Sequence, residues 1–247
     1  MEFFVPPADS ERWYRYWIEQ RLNWYLRYGL RRSKLRVREH GPEERSHYSQ
    51  GTSDLEYEYP IGWSELEGVA NRGAFDLTQH AEHSGTTLEW VGPEGSERYV
   101  PWVIEPAVSI ERIFVALMVD AYDEEVVGDR ERTVLRLHPE IAPVTAAILP
   151  LIAKDDGMVS KARTLYEELR KRHSVEYDDN GAIGRRYRRQ DEIGTPWAFT
   201  IDEQTLGDDT VTVRDRDSLA QERLPLGGVR EWLEDALERE WKSPKGD

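Results

Sequence analysis

The chain contains no cysteine. That excludes a disulfide framework and a thiolate zinc site, so no structural zinc is expected, and it fits a reducing compartment such as the cytoplasm. Long apolar runs are missing too. No segment approaches the length of a bilayer span, so no membrane role is expected. The start, MEFFVPPADSERWYRYW, lacks a basic region followed by an apolar stretch and does not read as a secretory leader. Neither a G-x-x-x-x-G-K-[ST] phosphate loop nor a G-x-S-x-G nucleophile elbow occurs. NGAIGRR, with glycines ahead of a basic helix, does not have the spacing of a dinucleotide site. His80 and His83 in HAEHSG stand three apart, a spacing metal sites use, but no partner motif accompanies them and no metal is expected.

What is present is enough for packed cores. The 247 residues are 38% hydrophobic and include nine tryptophans, enough for two ordinary domains. A formal charge of −15 argues against nucleic acid at the level of the whole chain. Local patches decide that question, however, and two basic islands interrupt the acidity: RYGLRRSKLRVREH (27–40) and GRRYRRQDE (184–192). Each is either a solvated helix face or an anion-binding surface.

Residues 9–28 read as a helix, with Asp9 or Ser10 to cap it and Gly29 to end it. Trp13, Trp17, Leu22, Tyr25 and Leu26 recur at helical spacing, as a core-facing stripe would; base stacking is the alternative use of such rings. From Asp54 to Arg72 the period becomes two, and Pro60, Ile61 and Gly62 turn one strand into the next. Strict alternation puts Glu65 and Glu67 on one face with Val69, which is costly unless both acids are paired, to Arg72, another neighbour or a cationic ligand. ERYVPWVIEP is a further strand, and IFVALMVDAY a helix introduced by Arg112. An arginine in a first turn gains nothing from the helix dipole, so its side chain is expected to leave the helix for an anion. Residues 123–133 read as charged, irregular chain. Beyond them VTAAILPL, VEYD, WAFTI and TVTVRD alternate as strands with helices in VSKARTLYEELRKRH and IGRRYRRQDEI, and VREWLEDALEREW closes the chain, as in an open α/β sheet. The boundary is placed near 138–142, giving domains 1–141 and 142–247.

EFFVPP, RLNWYLRYGLRRSKLRVREH, RSHYS, GWSELEGVANRGAFDL, HSG, VPWVIEPAVSIER, APVTAAILPL, DDNGAIGRRYRRQDEIGTPWAFTID and DTVTVRDRDS stand in one order along the chain. In that order they resemble bacterial glycyl-tRNA synthetases of the dimeric class II type, over essentially all of this sequence. The resemblance is to the C-terminal part. The family's chain carries a further N-terminal portion with its first two class-defining motifs. It implies a mixed α/β and α+β fold: part of an antiparallel-sheet class II catalytic domain, then an α/β anticodon-binding domain of the kind shared with the histidine, proline and threonine enzymes.

The resemblance also implies roles. SIER looks like the third class II motif, in which Arg112 would hold the γ-phosphate side of ATP beside Ser109, Ile110 and Glu111. Glu105, Pro106 and Ala107, with Val108 and Ser109 next to them, match the segment that binds glycine, and Glu105 would pair with its α-ammonium. Glu65 and Leu66 match a nucleotide contact. Arg185, Arg186, Arg188 and Arg189, with Arg214 and Arg216, would face the anticodon arm of glycine tRNA. The implied chemistry is glycine–tRNA ligation with ATP and magnesium, in the cytoplasm, by a homodimer. Serine replaces a family glycine at 109 and is expected to crowd ATP, and Glu111 is longer than the residues the family uses there. The second-motif arginine, an adenine-stacking aromatic and a further glycine-binding glutamate would precede Met1, so a chain beginning there is expected not to support pyrophosphate exchange. Either Met1 is internal to a longer gene, or the chain is a non-catalytic tRNA-binding or accessory protein, as the accessory subunit of mitochondrial DNA polymerase is.

Overall fold

The computed structural model describes residues 1–45, 49–93 and 97–246. Most of the RSHYS segment lies outside the described residues. The chain forms two compact units, Met1–Val119 and Asp120–Gly246. The division comes earlier than the boundary at 141/142 because a hairpin ahead of that point is bound into the second unit.

The first unit runs β1 (Phe3–Val5), α1 (Ser10–Arg27), β2 (Leu35–Glu39), β3 (Gly51–Tyr59), β4 (Gly62–Gly73), α2 (Phe75–Ser84), the short β5 (Trp90–Val91) and β6 (Arg98–Tyr99), β7 (Trp102–Val108) and α3 (Ile110–Ala121). Five of these strands form an antiparallel sheet in the order β1–β7–β4–β3–β2. The α1 stripe packs one face: Tyr14 and Tyr25 are buried with Leu55, Tyr57, Leu66, Val69 and Ile104, and Trp13, Trp17, Leu22 and Leu26 close the edges. The stripe is core.

Strict alternation fails in β4. Leu55 pairs with Glu67 and Glu56 with Glu65, so the register skips Leu66 at a β-bulge. The extra residue puts Leu66 and Glu67 together on the α1 side, at 0% and 1% exposure. Glu65 falls on the opposite face, its side chain 45% exposed. The two acids expected on one face therefore stand on two. Glu67 is held by Arg21 Nε, which donates to both its oxygens at 2.7 and 3.0 Å, and by the Tyr25 hydroxyl at 2.5 Å. Burial, and then the Glu67 charge, push the Tyr25 phenol far up, so it remains a donor.

The second unit begins with the hairpin β8 (Tyr122–Val127) and β9 (Arg130–Leu135), where irregular chain was expected. It continues β10 (Ala146–Pro150), α4 (Asp156–Leu169), β11 (Val175–Tyr177), α5 (Ile183–Ile193), β12 (Trp197–Ile201), α6 (Glu203–Asp208), β13 (Thr210–Asp215), β14 (Gln221–Pro225) and α7 (Val229–Glu238). The sheet order is β11–β10–β12–β13–β14; β11, β10 and β12 are parallel, and β12, β13 and β14 antiparallel. Alternation along β10 sends Ala146 and Ile148 into a core with α4 and α7, and Ala147 and Leu149 toward Ile183 and Tyr187 of α5. The sheet thus separates α5 from the α4/α7 layer.

Asp191, at 2% exposure, fastens the hairpin. It accepts from Arg132 Nε at 2.8 Å and from both terminal nitrogens of Arg214 at 2.9 and 3.0 Å. Arg136 reaches Asp123 and Glu125 at 2.7 and 2.8 Å and Asp217 at 3.2 Å. Burial alone would raise the Asp217 carboxyl, but the hydrogen bonds and charge of Arg216 outweigh it and hold the group below its usual value. Gly194 ends α5 at φ +84°, and a Cβ there would stand 3.0 Å from the Leu135 carbonyl, so only glycine lets helix and hairpin meet this closely.

Removing the carboxylate of Asp191 leaves two buried guanidinium groups without it, a loss on the order of 3–5 kcal/mol. Asp191→Ala should therefore shift the urea midpoint of the second unit strongly downward; a midpoint within error of the parent's would make the network incidental.

Candidate functional site

The face of the first sheet away from α1 is built from charges and small residues. Pairing across the strands places Arg36 opposite Glu56 and Arg38 opposite Asp54, then Asp54 opposite Gly68 and Ala70 opposite Glu105. Gly68, Ala70 and Ala107 carry little or no side chain, so the centre of this face is a low floor rimmed by Glu65, Arg72 and Glu105. Arg36 and Arg38 bind Glu56 at 2.5 and 3.0 Å, and Arg38 also binds Asp54 at 2.9 Å. The second half of the first basic island is thereby committed to the sheet.

Arg72 is the rim residue that sequence reasoning did not single out as functional. Its Nη1 donates to Glu105 Oε2 at 2.8 Å, while Nε and Nη2 grip Asp76 of α2 at 2.6 and 2.8 Å. The strand pattern marks it only as a partner for Glu65 or Glu67. An arginine at the end of an acid-rich strand, four residues before an aspartate, was the available signal.

Beyond β7 the chain turns into α3 at Ser109. The Ser109 hydroxyl accepts from the Arg112 N–H at 3.3 Å and donates to Glu111 at 2.7 Å, so it acts as the helix cap. That hydrogen bond holds the Glu111 carboxyl below its usual value. The Arg112 side chain leaves the helix, as expected, and its Nη1 lies 3.1 Å from Glu65 Oε2. The pair bridges the helix start and the strand before the bulge. Of the other residues singled out, Pro106 is buried, Ala107 exposed and Val108 half-buried. Ile110 is 80% exposed, and Leu66 is fully buried, so only its backbone could meet a ligand. Among the described residues no group of three or more His, Asp or Glu side chains gathers as a metal site.

The basic residues of the second unit divide sharply. Arg186, at 1% exposure, donates to the carbonyls of Gly181, Pro150, Asp178 and Leu151. Arg214 is spent on Asp191 with its guanidinium 4.8 Å from the Tyr187 ring, and Arg216 on Asp217 and the Gly194 carbonyl. These three are interior fasteners, unable to present their charge to an RNA. Arg189 bonds Asp178 and the Asn180 carbonyl. Arg185 and Arg188 are exposed, and their side chains form no hydrogen bond or ion pair among the described residues.

Residues 145–236 match the family model of an anticodon binding domain. The chain is 47% identical over 237 residues to a glycine–tRNA ligase of Caldanaerobacter subterraneus, covering 96% of this chain and 51% of that protein. It is 51% identical over 241 residues to that of Mycolicibacterium vanbaalenii, covering 94% and 51%. It is 48% identical over 245 residues to that of Thermobifida fusca, covering 96% and 53%. The chain thus spans about half the length of each of these relatives.

Hydrogen bonding from Arg72 holds the Asp76 carboxyl below its ordinary value. A carboxylate so depressed stabilises the fold above its unfolded-state pKa, near ~3.9, and loses that contribution as pH falls through the lower folded value. Asp76→Asn should therefore melt below the parent at neutral pH, and the gap should close on acidification once the folded carboxyl is protonated. A gap that does not change with pH would show that Arg72 does not depend on the Asp76 charge.

Proposed function

We propose that the chain corresponds to the C-terminal part of a glycine–tRNA ligase, supplying one wall of a glycine- and ATP-binding site and the domain that grips the anticodon arm of glycine tRNA. The observation that carries the first half is the open sheet face, where a floor of Gly68, Ala70 and Ala107 lies between Glu105 and the Arg112–Glu65 pair.

In this role Glu105 receives the α-ammonium of glycine. Arg72 engages only its Oε2 and fixes the carboxylate in place. The glycine carboxylate attacks the α-phosphorus of ATP, the bond to the bridging oxygen breaks, and pyrophosphate leaves with the electron pair. The adenylate then passes its glycyl group to a ribose hydroxyl of the tRNA terminus, releasing AMP. Arg112 holds the γ-phosphate side of the triphosphate while charge builds on the leaving group. Its present partner is easily exchanged: both side chains of the Arg112–Glu65 pair are more than 40% exposed, and such pairs contribute only about 0–1 kcal/mol. Swapping a solvated carboxylate for a triphosphate costs little, and Glu65 is then available to a hydroxyl or amino group of the nucleotide. The Ser109 hydroxyl is occupied by the cap, so position 109 limits the space beside ATP without binding it. Magnesium travels on the nucleotide, completed by phosphate oxygens. The protein would work in the cytoplasm as a homodimer.

For the second half, Arg185 and Arg188 are the cations of α5 with no prior commitment. Replacing both with glutamate should weaken binding of glycine tRNA in a filter assay and leave the melting temperature nearly unchanged, as at other exposed positions. Unaltered binding would take α5 out of the anticodon contact.

The catalytic half is tested in a chimera that joins this chain to the portion of the Mycolicibacterium vanbaalenii relative it does not match. There Arg112→Ala should slow glycine-dependent pyrophosphate exchange on the order of a hundredfold, the scale of one lost transition-state donor. Glu105→Gln should instead raise the glycine concentration needed for half-maximal rate. An exchange rate untouched by Arg112→Ala would mean that another cation holds the phosphate.

A further inference from the structure

Besides Arg185 and Arg188 of α5, a second group of second-unit cations has no partner among the described residues, and it lies away from that helix. Between α4 and the start of α7 lies an open groove of about 820 Å³ lined by Arg163, Lys171, Arg172 and Arg230, with the hydroxyls of Ser160 and Thr164 on its wall. A second hollow of about 330 Å³ shares Ser160 and Thr164 and extends the groove to Leu226 and Gly227. The side chains of Lys171, Arg172 and Arg230 make no hydrogen bond or ion pair among the described residues. The Arg163 guanidinium carbon stands over the Tyr177 ring, 4.4 Å from its centroid, and a terminal nitrogen is 4.0 Å from Asp179, at the limit of an ion pair. Two carboxylates, Glu167 and Glu168, also line the groove, but Arg170 already binds Glu167 at 2.7 Å. The surface is therefore positive, in a chain whose formal charge is −15.

In such a chain an unpaired arginine is the exception. Carboxylates outnumber cations 48 to 33, and the interior arginines each hold two or more acceptors. Three uncommitted cations converge on a concavity whose two carboxylates do not pair with them, one being bound by Arg170. The ends of α4 do not account for them. A helix C-terminus favours cations through its exposed carbonyls, yet none of these side chains bonds a carbonyl, and Arg230 belongs to the opposite wall.

The geometry points to the α4/α7 groove as a binding site for the sugar–phosphate backbone of RNA, separate from α5. It rests on the reading of this unit as an RNA-binding domain and adds a second surface to it. The sheet stands between the two, so one RNA stem cannot lie against both. Arginine and lysine would meet the phosphates and Ser160 and Thr164 the ribose hydroxyls, contacts that carry no base sequence. The groove would therefore add affinity without selecting the anticodon.

The test uses the whole chain, filter binding across a salt series, and two transcripts: glycine tRNA and the same tRNA with its anticodon replaced. Arg172→Glu combined with Arg230→Glu should weaken both transcripts by at least tenfold at low salt. It should also flatten the slope of log affinity against log salt by roughly 0.9 per lost phosphate contact. Arg185→Glu with Arg188→Glu should act chiefly on the transcript with the glycine anticodon. Circular dichroism and melting of each variant guard against unfolding, and Lys171→Glu alone, at an exposed position after α4, gives a milder independent version. A groove variant that binds both transcripts with the parent's affinity and slope overturns the proposal while leaving the anticodon reading intact. A parent that binds neither transcript overturns both. A loss confined to the glycine anticodon would make the groove a base reader and overturn its assignment as a backbone site.

Discussion

The first unit is organised around one carboxylate that water cannot reach. Glu67 sits under α1 at 1% exposure, and a charge there is tolerable only with its partners in place. Arg21 and Tyr25, one helical turn apart, supply them. That requirement sets the rotation of α1 over the sheet. It also fixes where the strand must bulge, since Glu67 reaches the helix only if Leu66 turns inward beside it. The bulge in turn sends Glu65 to the far face, where Arg112 finds it. A buried ion pair on one side of the sheet thus places an exposed one on the other.

The second unit solves the same problem with the signs exchanged. Its buried hubs are arginines, each surrounded by carbonyls or carboxylates. Arg186 closes the loop after β11 onto the end of β10, and Arg132 and Arg136 bind the hairpin through Asp191 and Asp217. Acidic composition therefore says little about what the surface offers. Much of the negative charge is matched within the fold, and the positive charge left outside is gathered in small areas.

Much of this could be read from the sequence, and the failures share a cause. The α1 stripe, the helix α5 and the strand β13 announce themselves by period, and β10 and β12 by short apolar runs buried on both faces. The outward swing of Arg112 could be argued from the dipole alone. The hairpin at 122–135 could not. Its buried residues are Arg132 and Val134, followed by Arg136, and among its many charges one buried valine shows no period; the arginines' burial needs Asp191 and Asp217 far along the chain, so the segment looks like solvated loop. Glu65 and Glu67 misled because a single inserted residue inverts alternation. Arg186, Arg214 and Arg216 misled because a run of arginines has the same appearance whether it holds carbonyls or phosphates. The strand β14 and the short helix α6 carry too few apolar residues to show a period.

The hairpin also has a bearing on how the chain is made. Its arginines reach partners 59 and 81 residues further on. A ribosome adding about 5–20 residues per second releases the hairpin roughly 3–12 seconds before Asp191 exists to receive Arg132. During that interval Arg132 and Arg136 have the hairpin's own Glu125 and Asp123 as partners, but not Asp191 or Asp217. The β12–β13–β14 meander, built from neighbouring segments, closes with little loop entropy once synthesised. Vectorial synthesis therefore reverses the order of the sequence: the piece that emerges first from this unit is the last to be locked.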